Sequence, residues 1–396
     1  MNTLNKKHYY EDFYFSFIQY QYEYYKRVFH TPEQCIYKDI GLPSEIILGT
    51  GLYPAIVEIT VGLLPPSNLT EEVVSKADRY FYDSGVCSFN KLALPAFESG
   101  ALPLPKAFAC FALCQESTRN FEVLAQKFKR EYLSIDVPYT RSPEAVSYVA
   151  RQFEELARSL CRIAGHPFDI DQLRECIRKS NAASGFFYAA NELRKRRPAL
   201  FFGGQMLKFM NVRWFWGTAE AVKIAKQYYE ISKERSATAI TPVDEKFRIL
   251  WCNLGLVYDS TFFEYMEKEL HTSIAFEEMN YTPAEPMDER EPFIALARRI
   301  LDTDFIGDVR RRAELLTRLV AEYQIDGIIF FSHVNCRLFN PKLRLLKEAL
   351  NRCQIPVLEI SADALDQRSY NRAQLTTRLE AFVEMLDSKK ALTQES

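Results

Sequence analysis

The chain has 396 residues, of which 50 are Lys or Arg and 52 are Asp or Glu, so its formal net charge is −2. Hydrophobic residues make up 47% and charged residues 26%, which is ordinary for a globular protein and excludes a disordered or fibrous chain. Because a nucleic-acid surface normally shows an excess of basic residues, the balanced charge also argues against nucleic acid as the main partner. The length predicts two or three structural units.

Nine cysteines are scattered along the chain. An odd number without a secretory signal is not typical of a disulfide framework. The first residues carry no apolar signal region, and no apolar run approaches the length of a transmembrane helix, so we expect a cytoplasmic protein with reduced thiols and no membrane partner. In that compartment a cysteine is a buried small hydrophobe, a metal or cluster ligand, or a nucleophile.

The first third of the sequence predicts a long helix followed by an α/β unit. An aromatic-rich helix covers 9–29, and a helical turn after Pro43 breaks at Gly49–Gly51 before a β-rich run. An apolar strand over 106–114, a helix over 118–129 and a strand over 132–139 follow. This alternation is an α/β signal.

The middle of the chain is predicted to be helical. Segments 143–162, 169–197 and 218–235 have a 3.6-residue hydrophobic period with charged outer faces. Cys161 and Cys176 lie within these helices, where a buried thiol is the expected state.

The last third returns to strand–helix alternation. Strands are predicted at 247–252, 272–276, 326–332 and 355–360, and helices at 260–270, 292–301, 306–323, 342–352 and 374–386. Strands joined by crossover helices favour a parallel, doubly wound sheet. We therefore predict an α/β fold of two doubly wound, Rossmann-like units joined by a helical block: an N-terminal helical segment 1–40, a first α/β unit 41–140, a connector 141–245 and a second α/β unit 246–390.

Each α/β unit delivers a cysteine at the carboxyl end of a strand. Cys114 ends the apolar run of the first unit, and His333 and Cys336 follow the strand 326–332 of the second. Ligands of open parallel sheets bind beyond the carboxyl ends of the strands. Both thiols are therefore expected to face an interdomain cleft.

Three blocks of sequence resemble the smaller, D-component-type subunits of the 2-hydroxyacyl-CoA dehydratase and benzoyl-CoA reductase family, and they keep that family's order along the chain. They are Leu42-Pro-Ser-Glu-Ile-Ile-Leu-Gly-Thr-Gly-Leu-Tyr-Pro54, the stretch from Val86-Cys-Ser-Phe through Cys114 to Ile135-Asp-Val-Pro-Tyr139, and the stretch from Asp326-Gly-Ile-Ile through His333 and Cys336 to Phe382. The similarity covers most of 42–386.

The resemblance implies a [4Fe-4S] cluster held by three cysteines, and the matching positions are Cys87, Cys114 and Cys336. With three protein ligands, one iron keeps an open site. Cys110 competes with Cys114, but it lies four residues earlier on the strand and is predicted to point into the sheet. The other five cysteines are interpreted as packing residues: Cys35, Cys161, Cys176, Cys252 and Cys353.

The reaction implied by the family starts from one low-potential electron, delivered by a separate ATP-hydrolysing iron-sulfur activator. It reduces the thioester carbonyl of a 2-hydroxyacyl-CoA to a ketyl radical, which expels the hydroxyl group. Members commonly work as heterodimers with a homologous second subunit. His333 is predicted to bond a cluster sulfur or the substrate, or to act as an acid or base, and Glu45 matches a family position near the cleft.

Two other functions are compatible with the sequence. One is an ATP-dependent reductase component of the benzoyl-CoA or double-cubane type, and the other is a non-catalytic subunit that relays electrons or supports an active neighbour. Val334-Asn335 and Phe339-Asn-Pro depart from the family pattern around Cys336, which leaves the substrate open. Phosphate-binding glycine-rich motifs are absent from the sequence, which argues against the chain being the ATPase itself.

Overall fold

Two four-stranded parallel sheets, each with helices on its faces, form the framework of the protein. The structure, a computed structural model, describes residues 5–63, 68–80, 85–238, 241–242, 244–303 and 305–394. The first sheet contains β1 (Cys35–Lys38), β2 (Tyr53–Ile56), β3 (Ala107–Phe111) and β4 (Glu131–Ile135) in the order β2-β1-β3-β4. The second contains β5 (Phe247–Cys252), β6 (Thr272–Glu277), β7 (Gly327–His333) and β8 (Val357–Ala362) in the order β6-β5-β7-β8. The predicted α/β class with two doubly wound sheets is confirmed.

The helices of the first unit surround its sheet and precede or connect its strands. They are α1 (Asn5–His30), α2 (Ser44–Leu48), α3 (Val57–Gly62), α4 (Asn68–Arg79), α5 (Ser88–Lys91), α6 (Ala93–Glu98) and α7 (Gln115–Phe128). The helical block contains α8 (Pro143–Ala164), α9 (Ile170–Leu193), α10 (Gly203–Phe209) and α11 (Ala219–Thr238), with a 3₁₀ segment at Met210–Phe215. The second unit contains α12 (Ser260–Glu264), α13 (Pro292–Leu301), α14 (Val309–Glu322), α15 (Asn340–Arg352) and α16 (Arg372–Gln394).

Strand β1 is the main departure from the sequence prediction. It lies inside the predicted N-terminal helical segment 1–40, yet it is a central strand of the first sheet, paired with β2 on one side and β3 on the other. All four of its residues are buried, Lys38 included. A four-residue strand that ends in lysine gives too short an apolar run to be recognised from the sequence.

The long aromatic helix packs one face onto the helical block. Phe17 meets Phe209 edge-on at a centroid distance of 5.4 Å, and Tyr24 meets Phe215 at 4.4 Å. Edge-to-face ring contacts of this kind add to the stabilisation from burying apolar area. Packing thus accounts for the buried aromatic residues of α1, whereas Phe15, Tyr22 and Phe29 are exposed.

The helical block lies against both sheets. In the first unit, α8 contributes Val149 and Phe153 to the core that also contains Phe111. In the second, Arg194 at the end of α9 forms a buried bidentate ion pair with Glu277 at the end of β6, with both N–O distances 2.8 Å. Contacts of the block therefore set how the two units lie relative to each other.

Gly203 is expected to be one of the least replaceable glycines. A Cβ atom at this position, the first of α10, would lie 2.2 Å from Ile274 Cβ and 2.5 Å from Ile274 O. We expect Gly203→Ala to lower the free energy of unfolding by about 1–3 kcal/mol, measured by urea denaturation. Gly185, exposed within α9, has open space around its Cα, so Gly185→Ala should instead stabilise by about 0.5–1 kcal/mol. A shift of the same sign in both variants would contradict this packing.

Candidate functional site

The strand order of each sheet reverses between its two central strands, β1 and β3 in the first sheet and β5 and β7 in the second. Crevices at such switch points, outside the carboxyl ends of the strands, are where doubly wound folds bind ligands. Cys114 follows β3 and precedes α7, while His333 ends β7 and Cys336 lies in the turn after it. Two predicted ligands, Cys114 and Cys336, therefore each follow a central strand at the switch point of a sheet.

Three half-buried thiols and one histidine are brought together from the two units. Cys87 precedes α5, and its Sγ lies 3.3 Å from His333 Nε2. Burial raises the pKa of the Cys87 thiol well above its ordinary value, and the nearby Cys336 and Cys114 thiols raise that pKa further. Cys114 likewise raises the pKa of Cys336, after the larger effect of burial. The sites predicted separately in the two units thus form one group.

Backbone amides surround these sulfur atoms. Two nearby backbone N–H groups lower the pKa of each thiol, against the larger raising effect of burial; they belong to Phe89 and Asn90 for Cys87, Glu116 and Ser117 for Cys114, and Leu338 and Phe339 for Cys336. Backbone N–H groups that converge on sulfur stabilise negative charge there. The turns after the three cysteines therefore offset part of the cost of charging these buried thiols.

The protonation of His333 follows from its two hydrogen bonds. The backbone N–H of Ala364 donates to Nδ1 at 3.0 Å, so this nitrogen carries no proton. Burial lowers the pKa of His333, which favours the neutral ring at pH 7. The single ring proton then resides on Nε2 and points at Cys87 Sγ.

Glu116 connects the cysteine group to the surface, and sequence reasoning missed it. Its Oε2 accepts the backbone N–H of Cys87 at 3.2 Å, and its Oε1 lies 2.7 Å from Nε of the exposed Arg337. An acidic residue two positions after Cys114, in the first turn of α7, was the available signal. The pair ties the loop of Cys336 to the helix that follows Cys114.

The polar side chains of the loop after β8, residues 363–368, form hydrogen bonds and ion pairs within the protein. Asp363 Oδ1 accepts the Ser88 hydroxyl at 2.7 Å and the backbone N–H groups of Leu365 and Asp366. Arg368 pairs with Asp366 and, at 2.7 Å, with Asp78. These contacts hold the loop that supports His333 against the segment that carries Cys87.

The remaining cysteines differ in exposure. Cys110 is fully buried within β3, and its Sγ lies 3.8 Å from Thr118 Oγ1, as expected for a packing residue. Cys35, Cys161, Cys176 and Cys252 are also buried. Cys353 is exposed, so its interpretation as a packing residue was wrong; it caps the carboxyl end of α15, where the helix meets the surface.

Glu45 lies in α2 with different neighbours from the cysteine group. It is 6% exposed, and its Oε1 accepts the Ser180 hydroxyl of α9 at 2.7 Å. Its charge raises the pKa of Arg299 in α13, against the larger lowering effect of burial. The structure thus places Glu45 between α2, α9 and α13, and its catalytic role stays a prediction.

A second buried ionisable group was not anticipated from the sequence. At the carboxyl ends of β1 and β2, burial lowers the pKa of Lys38 to about 8 and raises the pKa values of Asp39 and Glu58. Lys38 donates to Leu42 O at 2.7 Å, and Asp39 accepts the backbone N–H of Phe111 at 3.0 Å. Asp39 thus links the end of β1 to the end of β3, three residues before Cys114. Sequence reasoning missed β1, so it missed Lys38 and Asp39 as well.

The donor set suits an iron-sulfur cluster. Within the described ranges, no three or more His, Cys, Asp or Glu side chains are grouped closely enough to hold a single metal ion. Thiol ligands of a cluster bind different iron atoms, so they need not converge as tightly as around one ion. Three neighbouring thiols with amide donors at each sulfur fit such a cluster. In the same described part of the chain, no helix is long and apolar enough to cross a membrane.

Comparison with known proteins identifies the family. The sequence model described as "2-hydroxyglutaryl-CoA dehydratase, D-component" matches residues 40–386. The B subunit of benzoyl-CoA reductase from Thauera aromatica is 24% identical over 354 residues, covering 81% of each chain. The (R)-phenyllactyl-CoA dehydratase alpha subunit of Clostridium sporogenes is 22% identical over 376 residues, covering 88% of this chain and 89% of the relative. The lactoyl-CoA dehydratase alpha subunit of Anaerotignum propionicum is 23% identical over 362 residues, covering 81% and 83%. The chain therefore belongs to the 2-hydroxyglutaryl-CoA dehydratase D-component family, whose similar members include dehydratase and reductase subunits.

Proposed function

We propose that this chain is the cluster-bearing subunit of a 2-hydroxyacyl-CoA dehydratase-type enzyme, in which Cys87, Cys114 and Cys336 hold a [4Fe-4S] cluster. The observation that carries the proposal is the meeting of these thiols from both units, where each is near enough to the others to raise their pKa values and backbone N–H groups oppose that rise. When bound, such a cluster supplies single-electron chemistry and one iron without a protein ligand. Membership of the family supports the proposal independently.

The residues around the thiols would set the electronic properties of the site. Hydrogen bonds to thiolate sulfur and exclusion of water are the means by which a protein tunes a cluster. The Nε2–H of His333 is aimed at Cys87 Sγ, and its Nδ1 is already occupied by the Ala364 amide. His333 therefore serves as a hydrogen-bond donor to the Cys87 sulfur in this proposal, rather than as a general base.

The partners follow from the same proposal. The similar proteins are named as alpha or B subunits, which supports the presence of another subunit next to this chain. An ATP-hydrolysing iron-sulfur activator would deliver the electron, and an acyl-CoA thioester would be the substrate. We place the enzyme in the cytoplasm and this chain as the smaller subunit of a heterodimer.

A reductase of the benzoyl-CoA type is the second candidate. The Thauera aromatica relative is a reductase subunit, and its 24% identity is comparable to that of the dehydratase subunits. The two functions differ in product, because a dehydratase eliminates water from its substrate whereas a reductase adds electrons and protons to it.

Turnover by the assembled complex tests the proposed function. The chain is purified without oxygen together with a homologous second subunit and an ATP-hydrolysing iron-sulfur activator sought among the products of its neighbouring genes. The complex is given (R)-phenyllactyl-CoA, lactoyl-CoA or benzoyl-CoA with ATP and a low-potential reductant. We expect loss of water from a 2-hydroxyacyl-CoA, detected as the enoyl-CoA by mass spectrometry, and no product with the Cys114→Ser chain. Reduction of benzoyl-CoA alone would establish the second candidate in place of the first, and turnover undiminished by Cys114→Ser would refute both.

A further inference from the structure

Glu116 occupies a sheltered place beside the cysteine group. It is the second residue of α7, which begins directly after Cys114, so its carboxylate lies in the first helical turn, where the helix dipole favours negative charge. Its side chain is 14% exposed, whereas that of its ion-pair partner Arg337 is 68% exposed. The ion pair therefore runs from the cysteine group to the protein surface.

The Glu116 carboxylate reaches all three segments that carry the predicted ligands. It lies two residues after Cys114 in the chain, and its Oε2 accepts the backbone N–H of Cys87 at 3.2 Å. Its Oε1 lies 2.7 Å from Nε of Arg337, the residue that follows Cys336. Because these segments are far apart in the sequence, local structure alone does not keep them together. Glu116 is therefore a point at which the three segments are joined.

The charge of Glu116 also acts on the sulfur atoms. Burial raises the pKa values of Cys114 and Cys336 most, and the Glu116 carboxylate raises both of them further. A neutral amide would also accept the Cys87 N–H, and it would not oppose the ionisation of the thiols. An ion pair with an exposed arginine adds little stability by itself. These two contacts therefore do not account for a charged group at this position.

We propose that Glu116 is a positioning residue of the cluster site, which holds the three ligand segments together and, with Arg337 as its counter-charge, sets the reduction potential of the bound cluster. A cluster that accepts an electron gains negative charge, so a nearby carboxylate disfavours its reduction and a nearby cation favours it. The role in the potential rests on the proposed function, whereas the joining of the segments does not.

Hydrogen–deuterium exchange of the full-length chain tests the joining of the segments. Glu116→Ala removes the acceptor of the Cys87 N–H and the partner of Arg337. We expect the peptides that contain these two residues to exchange about tenfold faster than in wild type, measured by mass spectrometry with and without bound iron. Glu122→Gln is the matched control, because Glu122 lies on the same helix and pairs with Arg119 at the surface. A peptide from β5 reports whether the whole fold is intact.

A redox titration followed by electron paramagnetic resonance tests the effect of the charge. Glu116→Gln keeps an acceptor for the Cys87 N–H but removes the negative charge, so the midpoint potential of the cluster should rise. Arg337→Gln leaves the carboxylate without its cation, so the potential should fall. Glu122→Gln should have the wild-type potential. A purely structural role would not produce shifts of opposite sign.

The outcomes separate this proposal from the proposed function. Shifts of the same sign in Glu116→Gln and Arg337→Gln, or no shift in either, would overturn the role in the potential. Unchanged exchange of the Cys87 peptide in Glu116→Ala, or an equal rise in the β5 peptide, would overturn the joining of the segments. A wild-type chain without iron after anoxic reconstitution would refute the proposed function and the role in the potential, and the exchange rates would still decide whether Glu116 joins the segments.

Discussion

Replacing Cys114 by serine is expected to lower the iron content of the anoxically purified chain by more than about tenfold. A serine hydroxyl is a poor substitute for a thiolate, and disturbing even the outer shell of a metal site costs about 10–100-fold in affinity. The two other thiols remain, but two ligands hold a cluster less firmly than three. Cys87→Ser and Cys336→Ser should behave alike, because all three thiols interact with one another. Iron and acid-labile sulfide per chain, with electron paramagnetic resonance spectra, provide the measurement.

Cys110→Ser is the matched control for this series. Cys110 lies within β3, four residues before Cys114, which follows that strand. It is fully buried and has the Thr118 hydroxyl at 3.8 Å as a partner for the new serine. We expect it to retain iron, as should Cys353→Ser at the exposed end of α15. Full iron in all three ligand variants, or equal loss in Cys110→Ser, would refute the assignment of ligands.

Arg194→Met is expected to lower the free energy of unfolding by about 3–5 kcal/mol, because it leaves Glu277 buried without its cation. The side chains of Arg194 and Glu277 are 2% and 0% exposed, and Arg194 also donates to Ala275 O at 3.0 Å. The pair joins the end of α9 to the end of β6, so its loss removes a link between the helical block and the second sheet. Denaturant unfolding followed by circular dichroism measures the effect.

Two further variants distinguish burial from simple loss of an ion pair. Arg344→Met breaks an exposed pair with Glu348 and should cost no more than about 1 kcal/mol. Adding Glu277→Leu to Arg194→Met removes the stranded carboxylate and should recover part of the loss. An Arg194→Met effect as small as that of Arg344→Met, or no recovery in the double variant, would contradict this account.

The second sheet was predictable because its strands are long and apolar. All residues of β5 and β7 are buried, and the predicted segments 247–252 and 326–332 agree with the observed strands to within one residue. Strand β1 escaped prediction because it has four residues and ends in a buried lysine whose state depends on tertiary contacts. Local sequence carries no signal for such a strand.

Sequence reasoning predicted the thiols of the candidate site but not the residues that hold them in place. Strand ends indicated Cys114, His333 and Cys336, and the family resemblance added Cys87. The roles of Glu116 and Ala364 depend on contacts between segments far apart in the chain, as Glu116 meets Cys87 and Arg337, and the Ala364 amide fixes the His333 tautomer.

The central claim is that one cysteine group, assembled from both units, holds one four-iron cluster. The most direct measurement is the iron and acid-labile sulfide content of the wild-type chain purified without oxygen. The account predicts about four iron atoms and four sulfides per chain. A chain that carries no iron after anoxic reconstitution, or about eight iron atoms as in a larger cluster, would contradict it.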